Sequence, residues 1–122
     1  MHKDWTKSNQ TLSQAITDYR KASPDLAQAF SGLAAAATAP GSLSPKTKEL
    51  IAMAIGIASR CDGCIGFHTA AAIRHGATRT EVLDTIGVAI YMGGGPSLMY
   101  AADALVAWEE FSAAHQPASA EK

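Results

Sequence analysis

Apolar residues recur along the chain at spacings of three and four, and no segment alternates between apolar and polar positions as a half-buried strand does. This periodicity predicts an all-α protein of about six helices separated by short breaks. A first helix is predicted over residues 11–21, with Leu12, Ile16 and Tyr19 on one face.

Serine followed by proline marks two helix starts, because serine caps a helix and proline fits its first position. Ser23 and Pro24 therefore predict the start of a second helix, which ends before Gly41. Ser44 and Pro45 predict the start of a third helix, which continues to about residue 59.

The second half of the chain carries the signals for three more helices. A fourth helix is predicted from Cys61 until Gly76, since glycine readily takes the left-handed conformation that ends a helix. Thr78 and Glu81 form a capping-box pattern for a fifth helix, and Pro96 opens a sixth after a glycine run that predicts a tight turn. The residues predicted to face inward on the sixth helix are Leu98, Ala102, Leu105 and Trp108.

The length of 122 residues predicts a single domain over 1–122. Hydrophobic residues make up 48% of the chain, but alanine runs such as 34–37 supply little volume for a core in a protein this small. We therefore expect burial between subunits and a homo-oligomer. The polar segment 115–122 is predicted to be a disordered tail.

The charge pattern narrows the classes of partner. Ten basic and 11 acidic residues give a formal net charge of −1, with no basic block, which argues against nucleic-acid and anionic-membrane binding. Residues 1–10 lack the apolar segment of a secretory signal, and glycines interrupt the charge-free stretch 85–102. We expect a cytoplasmic protein without a membrane span.

Cys61 and Cys64 lie three positions apart at a predicted helix start. Unpaired backbone N–H groups and the helix dipole stabilise a thiolate there, and one cysteine can attack the other once it is oxidised. Half of a zinc site and inert packing are the alternatives. Zinc needs further ligands, and His75 lies about 16 Å along the helix from Cys64. The spacing favours redox chemistry, without a metal or cofactor.

Two further residues are candidates for proton transfer. His68 follows Cys64 by four residues and Cys61 by seven, so the three share one helical stripe and the imidazole leans toward Cys64. Glu49 lies among small apolar residues of the third helix, where a carboxylate is either exposed to solvent or buried because it has a function. If Glu49 is buried beside His68, it would orient the imidazole or relay protons.

Taken together, Glu49, Cys61-x-x-Cys64-x-x-x-His68 and the glycine-proline turn before the last helix resemble the AhpD-like alkylhydroperoxidase and carboxymuconolactone decarboxylase superfamily. The resemblance covers a core of about 26–112. It implies an AhpD-like helical bundle that forms trimers or hexamers. AhpD has a histidine between the two cysteines, whereas this chain has Gly63, so the implied relay is shorter.

The resemblance implies a role for each site residue: Cys64 attacks a peroxide, Cys61 resolves the product, and His68 and Glu49 move protons. The function expected is a thiol-dependent hydroperoxidase or disulfide reductase with an antioxidant role, reduced by an external dithiol. One alternative is decarboxylase-like or isomerase-like chemistry on a small lactone, in which His68 and Glu49 act as acid and base. Another is a non-catalytic oligomeric thiol sensor.

Overall fold

The computed structural model describes residues 3–120 of the chain, and the side chains of residues 3–115. Within this range the fold consists of six helices without a strand, as the apolar spacing predicts. The helices are α1 (Trp5–Ala22), α2 (Pro24–Thr38), α3 (Pro45–Ala58), α4 (Asp62–Arg74), α5 (Arg79–Gly93) and α6 (Gly95–Ala120).

Local capping signals place the starts of the middle helices correctly. The Ser44 hydroxyl accepts the backbone N–H of Thr47, and Thr78 and Glu81 form both hydrogen bonds of a capping box. The Thr78 backbone N–H, assisted by Lys46 of α3, holds the pKa of the Glu81 carboxyl below its ordinary value. Ser23 occupies the N-cap position of α2, but its side chain makes no capping hydrogen bond.

The core lies where α3, α4, α5 and α6 meet, with α1 packed across α4 and α6 and α2 packed only against α1 and α3. Met53, Ile57, Ile65 and Val82 are completely buried within it. No residue of α2 is buried. The four helices of the core therefore fix the positions of α3 and α4, which carry the candidate site residues.

The first helix begins at Trp5, six residues earlier than the sequence pattern predicts. The Asp4 carboxylate caps it by accepting the Lys7 backbone N–H at 3.0 Å, and Trp5 is only 2% exposed. The apolar face predicted from Leu12, Ile16 and Tyr19 is not a buried one, because Leu12 and Tyr19 are exposed. The buried tryptophan, rather than those residues, fixes α1 on the core.

A carboxylate from α6 holds the start of α1 from outside the helix. Glu110 accepts the backbone N–H groups of Trp5 at 3.0 Å and Thr6 at 2.8 Å. Partial burial alone would raise the pKa of Glu110, but these hydrogen bonds outweigh burial and lower it below the ordinary value. The start of α1 is thus held to α6 by two hydrogen bonds to one carboxylate.

Replacing Glu110 with Gln should lower the free energy of unfolding at neutral pH by about 1 kcal/mol, the usual cost of losing a helix cap. Because the folded-state pKa of Glu110 is depressed, its contribution is present above the unfolded-state pKa and is lost as the pH falls through the folded-state pKa. Denaturant titrations at neutral and acidic pH check this. Glu109→Gln, a change at the exposed neighbouring residue, should lower the free energy of unfolding less at neutral pH and alter its pH dependence less. Equal effects of the Glu109 and Glu110 variants would contradict the prediction.

The inward face of α6 differs from the predicted one. Leu98 and Ala102 are exposed, while Trp108 is buried as expected and Leu105 packs at the edge of the core. Among the α6 side chains up to residue 115, the buried ones are Ser97, Ala101, Ala104, Ala107 and Trp108. Gly94, at φ +84°, sets the rotation at which α6 leaves the turn, so small residues rather than leucines face the neighbouring helices.

Helix α6 extends to Ala120, and Glu121 and Lys122 lie outside the described residues, as do the side chains from residue 116 on. The disordered tail predicted for 115–122 therefore stays a prediction. None of the helices among the described residues is long and apolar enough to cross a membrane.

Candidate active site

Helices α3 and α4 lie side by side, and each presents one stripe of site residues to the other. On α3 the stripe contains Glu49, Met53 and Gly56, all of which are buried. On α4 it contains Cys64 and His68, with Cys61 at the cap of the helix. The side-by-side packing that a Glu49–His68 contact requires is therefore present.

The two cysteines form a disulfide at the start of α4. Cys61 is the N-cap residue, and its sulfur accepts the Cys64 backbone N–H at 3.2 Å, while the two Cα atoms lie 5.2 Å apart. Cys64 belongs to the first turn, where backbone N–H groups lack helical acceptors. Both residues are partly exposed, so a small molecule can approach them.

His68 and Glu49 form the second half of the site. The Nδ1 atom of His68 lies 2.7 Å from the Oε1 atom of Glu49, within hydrogen-bond distance. The Glu49 side chain is 10% exposed and that of His68 is 35% exposed. When Nδ1 carries the proton and its N–H group donates a hydrogen bond to Glu49, the Nε2 atom is left as a proton acceptor.

Gly56 is a site residue that sequence reasoning identified only as a small neighbour of Glu49. Its carbonyl accepts the Cys61 backbone N–H at 2.9 Å, and a Cβ atom added to it would lie 2.9 Å from the Cβ of Cys64. A larger residue would push α3 away from Cys64. The two helices can therefore approach closely at the disulfide because residue 56 has no side chain.

The opposite side of α4 is covered by α1. A Cβ atom added to Gly63, between the cysteines, would lie 2.7 Å from the Cδ2 atom of Leu12. One turn further on, the Asn9 side chain donates to the Gly66 carbonyl at 3.1 Å. AhpD has a histidine at the position of Gly63, and the space beside Gly63 is filled here by the Leu12 side chain of α1.

Among residues 3–115, no group of three His, Cys, Asp or Glu side chains comes together in a way that could hold a metal ion. All four predicted site residues lie on the facing stripes of α3 and α4. The arrangement places two cysteines, which exchange two electrons between the dithiol and disulfide forms, one helical turn from a proton acceptor.

The fold and the site define a class: a small all-helical protein with a Cys-x-x-Cys pair at a helix start and a Glu–His pair beside it. The family model described as "Carboxymuconolactone decarboxylase family" matches residues 24–107, well over half of the chain. The chain therefore belongs to the carboxymuconolactone decarboxylase family, as the resemblance of its motifs implies.

Three relatives illustrate the breadth of the similarity. A carboxymuconolactone decarboxylase family protein from Legionella pneumophila, crystallised in the apo form, is 53% identical, covers 88% of this chain and 96% of its own, and has a TM-score of 0.86. An uncharacterised protein of Cupriavidus necator is 44% identical over 76% of this chain and 82% of its own length. A Thermotoga maritima family protein, for which involvement in antioxidative response has been suggested, shares the fold at 24% identity, with a TM-score of 0.77 over 95% of this chain and 96% of its own.

Proposed function

We propose that this protein is a thiol-dependent hydroperoxidase whose active site consists of Cys64, Cys61, His68 and Glu49. The observation that carries the proposal is the partly exposed disulfide at the start of α4, with a hydrogen-bonded Glu49–His68 pair one turn further along the helix. A buried carboxylate that orients an imidazole beside a cysteine is the usual arrangement for activating a nucleophile.

The first step oxidises Cys64. Its thiol gives a proton to His68, and the thiolate attacks the terminal oxygen of the hydroperoxide. The O–O bond breaks as an S–O bond forms, so Cys64 becomes a sulfenic acid. The leaving alkoxide takes the proton from His68 and departs as an alcohol, which returns His68 to its starting state.

The second step forms the disulfide and the third removes it. The Cys61 sulfur attacks the sulfenic sulfur, the S–S bond forms, and the sulfenic oxygen leaves as water. An external dithiol then supplies two electrons and two protons and is itself oxidised to a disulfide. The same exchange with an external partner gives disulfide reductase activity. A dithiol-dependent cycle fits the reducing cytoplasm.

The test is a turnover assay with purified protein, tert-butyl hydroperoxide and an excess of dithiothreitol, in which consumption of the peroxide is followed. Turnover above the rate of dithiothreitol alone is expected. The family description favours one competing function, so release of carbon dioxide from a carboxymuconolactone is measured in parallel. Lactone decarboxylation without peroxide turnover would replace the proposal, and a reversible disulfide without either activity would indicate a thiol sensor.

We also propose that the protein is a homo-oligomer, a trimer or a hexamer. The outward faces of α5 and α6 carry large apolar side chains that are more than half exposed, namely Val88, Tyr91, Met92 and Met99. Apolar clusters of this kind on a small protein are typical of subunit interfaces. Sedimentation velocity at micromolar concentration should give a mass of three chains or more, and a stable monomer would contradict the proposal.

A further inference from the structure

Helix α3 ends in a Schellman motif that leads directly into the disulfide. The Arg60 backbone N–H donates to the Ile57 carbonyl at 3.1 Å. The Cys61 backbone N–H donates to the Gly56 carbonyl at 2.9 Å, which completes the motif. Arg60 has a φ of 59° and is the one residue other than glycine with a positive φ among the described residues. An arginine therefore fixes the backbone before Cys61 in a left-handed conformation that side chains disfavour.

Helix α4 ends in the same motif, with glycine at the matching position. Gly76, at φ +87°, donates its backbone N–H to the Ile73 carbonyl at 3.0 Å. The Ala77 backbone N–H donates to the Ala72 carbonyl at 2.9 Å. Glycine takes this conformation without steric cost and makes the same two hydrogen bonds. The backbone geometry therefore does not explain why position 60 has an arginine, and its side chain is left to do so.

The unpaired charge beside the disulfide is positive. Arg60 is exposed, and among the described side chains it has no ion pair. Asp62, on the other side of Cys61, is paired with Lys3. The start of α4 adds the positive end of its helix dipole. A reactant at the exposed side of the disulfide therefore meets an unpaired cation, although the whole chain has a formal net charge of −1.

We propose that Arg60 selects the reductant of the Cys61–Cys64 disulfide. This reductant is a small dithiol with an anionic group beside its thiols, and the anionic group pairs with the Arg60 guanidinium. The inference rests on the proposed peroxidase cycle, in which an external dithiol restores the two cysteines. It adds a charge preference that the disulfide alone does not provide.

The exchange begins at Cys61, the cysteine next to Arg60. A thiolate of the reductant attacks the Cys61 Sγ atom, a mixed disulfide forms, and the Cys61–Cys64 bond breaks. Cys64 leaves as a thiolate, which the free N–H groups of the first turn of α4 stabilise, and then takes up a proton. The second thiolate of the reductant attacks the reductant sulfur of the mixed disulfide and releases Cys61, which is also protonated. The reductant leaves as a disulfide, having supplied two electrons and two protons.

The charge preference can be measured without peroxide, using three two-carbon thiols that differ in charge. These are 2-mercaptoethanesulfonate, 2-mercaptoethanol and 2-mercaptoethylamine. Loss of the protein disulfide is followed by acid quenching and mass spectrometry, and each rate is corrected for the thiolate fraction of the thiol. The wild type should react faster with the sulfonate than with the amine. Arg60→Gln should reduce this ratio roughly fivefold, the upper end of what an exposed ion pair contributes, and molar salt should also reduce it.

Three further variants separate the charge from the backbone. Arg60→Lys keeps the charge and should retain most of the preference. Arg74→Gln is the matched control, because Arg74 is an exposed arginine in the last turn of α4, about 15 Å along the helix from Cys64. Arg60→Gly should lose the preference but raise the denaturant midpoint of unfolding, because glycine relieves the left-handed strain. A lower midpoint in Arg60→Gly would mean that the arginine serves the fold, and would overturn the inference.

The remaining outcomes separate this inference from the proposed function. Equal slowing of all three thiols in Arg60→Gln, or equal effects of Arg60→Gln and Arg74→Gln, would overturn the role of Arg60. Turnover of tert-butyl hydroperoxide is measured separately. Charge selection that depends on Arg60, in a protein that turns over no peroxide, would support the inference and reject the peroxidase function. Peroxide turnover without charge selection would reject the role of Arg60 alone.

Discussion

Cys64→Ser is expected to abolish peroxide-dependent turnover, whereas Cys61→Ser should still react once with peroxide and then stop. Without the Cys64 sulfur there is no nucleophile to open the O–O bond. Without Cys61 the sulfenic acid forms but has no neighbouring thiol with which to condense. Mass spectrometry after a short peroxide pulse, with dimedone as a trap for sulfenic acid, should find the adduct at Cys64 of Cys61→Ser.

The two cysteine variants also test which thiol attacks. If Cys64→Ser still reacts with peroxide and Cys61→Ser does not, the attacking and resolving roles are reversed. Wild-type protein treated with mild peroxide should lose two hydrogens and regain them on reduction, because its two Cα atoms are already 5.2 Å apart. Bonds only between chains would exclude the two-thiol cycle.

Replacing His68 with Gln, or Glu49 with Gln, should slow the oxidation of Cys64 at neutral pH by roughly 10²-fold, the usual contribution of a positioned proton acceptor. The thiol should titrate at higher pH in both variants, because the imidazole either is missing or has lost its 2.7 Å partner. Stopped-flow oxidation rates across a pH series measure both effects. His75→Gln, at the exposed end of the same helix, is the matched control and should match the wild type.

The double variant separates a relay from two independent effects. If Glu49 acts only by orienting His68, then adding Glu49→Gln to His68→Gln should cost little more than the single change. Fully additive losses would mean that Glu49 acts on the reaction separately. If neither single variant shifts the thiol titration, the start of α4 alone sets the reactivity, and the relay is wrong.

Features specified by neighbouring residues could be predicted from the sequence. The Ser44 cap and the Thr78–Glu81 capping box depend on residues three positions apart, so their signals lie within one turn of chain. The placement of Cys64 and His68 on one stripe depends only on the helical repeat, whereas Cys61 lies at the N-cap, just outside α4. The sequence could not predict that Glu49 and His68 are in contact, because the contact requires that α3 and α4 pack side by side.

Features that depend on distant partners could not be predicted in this way. The Asp4 cap of α1 is a local signal, but Glu110, 105 residues away, also accepts the Trp5 backbone N–H, and no local pattern indicates that second contact. On α6, the predicted face followed the larger side chains, whereas the observed face follows the rotation set by Gly94 and buries alanines instead. Size and hydrophobicity alone do not report how closely two helices approach.

Because Leu12 of α1 lies beside Gly63, the side chain that position 63 can carry depends on the side chain at position 12. A side chain between the cysteines would meet the Cδ2 atom of Leu12, the free end of an exposed side chain, so Gly63→His should require Leu12 to turn outward. Leu12→Ala, at a partly exposed position, would open that space at modest cost, and histidine could then enter. The rotamer of Leu12, rather than the backbone of α1, is therefore expected to change with the residue at position 63. Whether an imidazole can stand between the cysteines is thus decided in part by a side chain of the helix that contains neither cysteine.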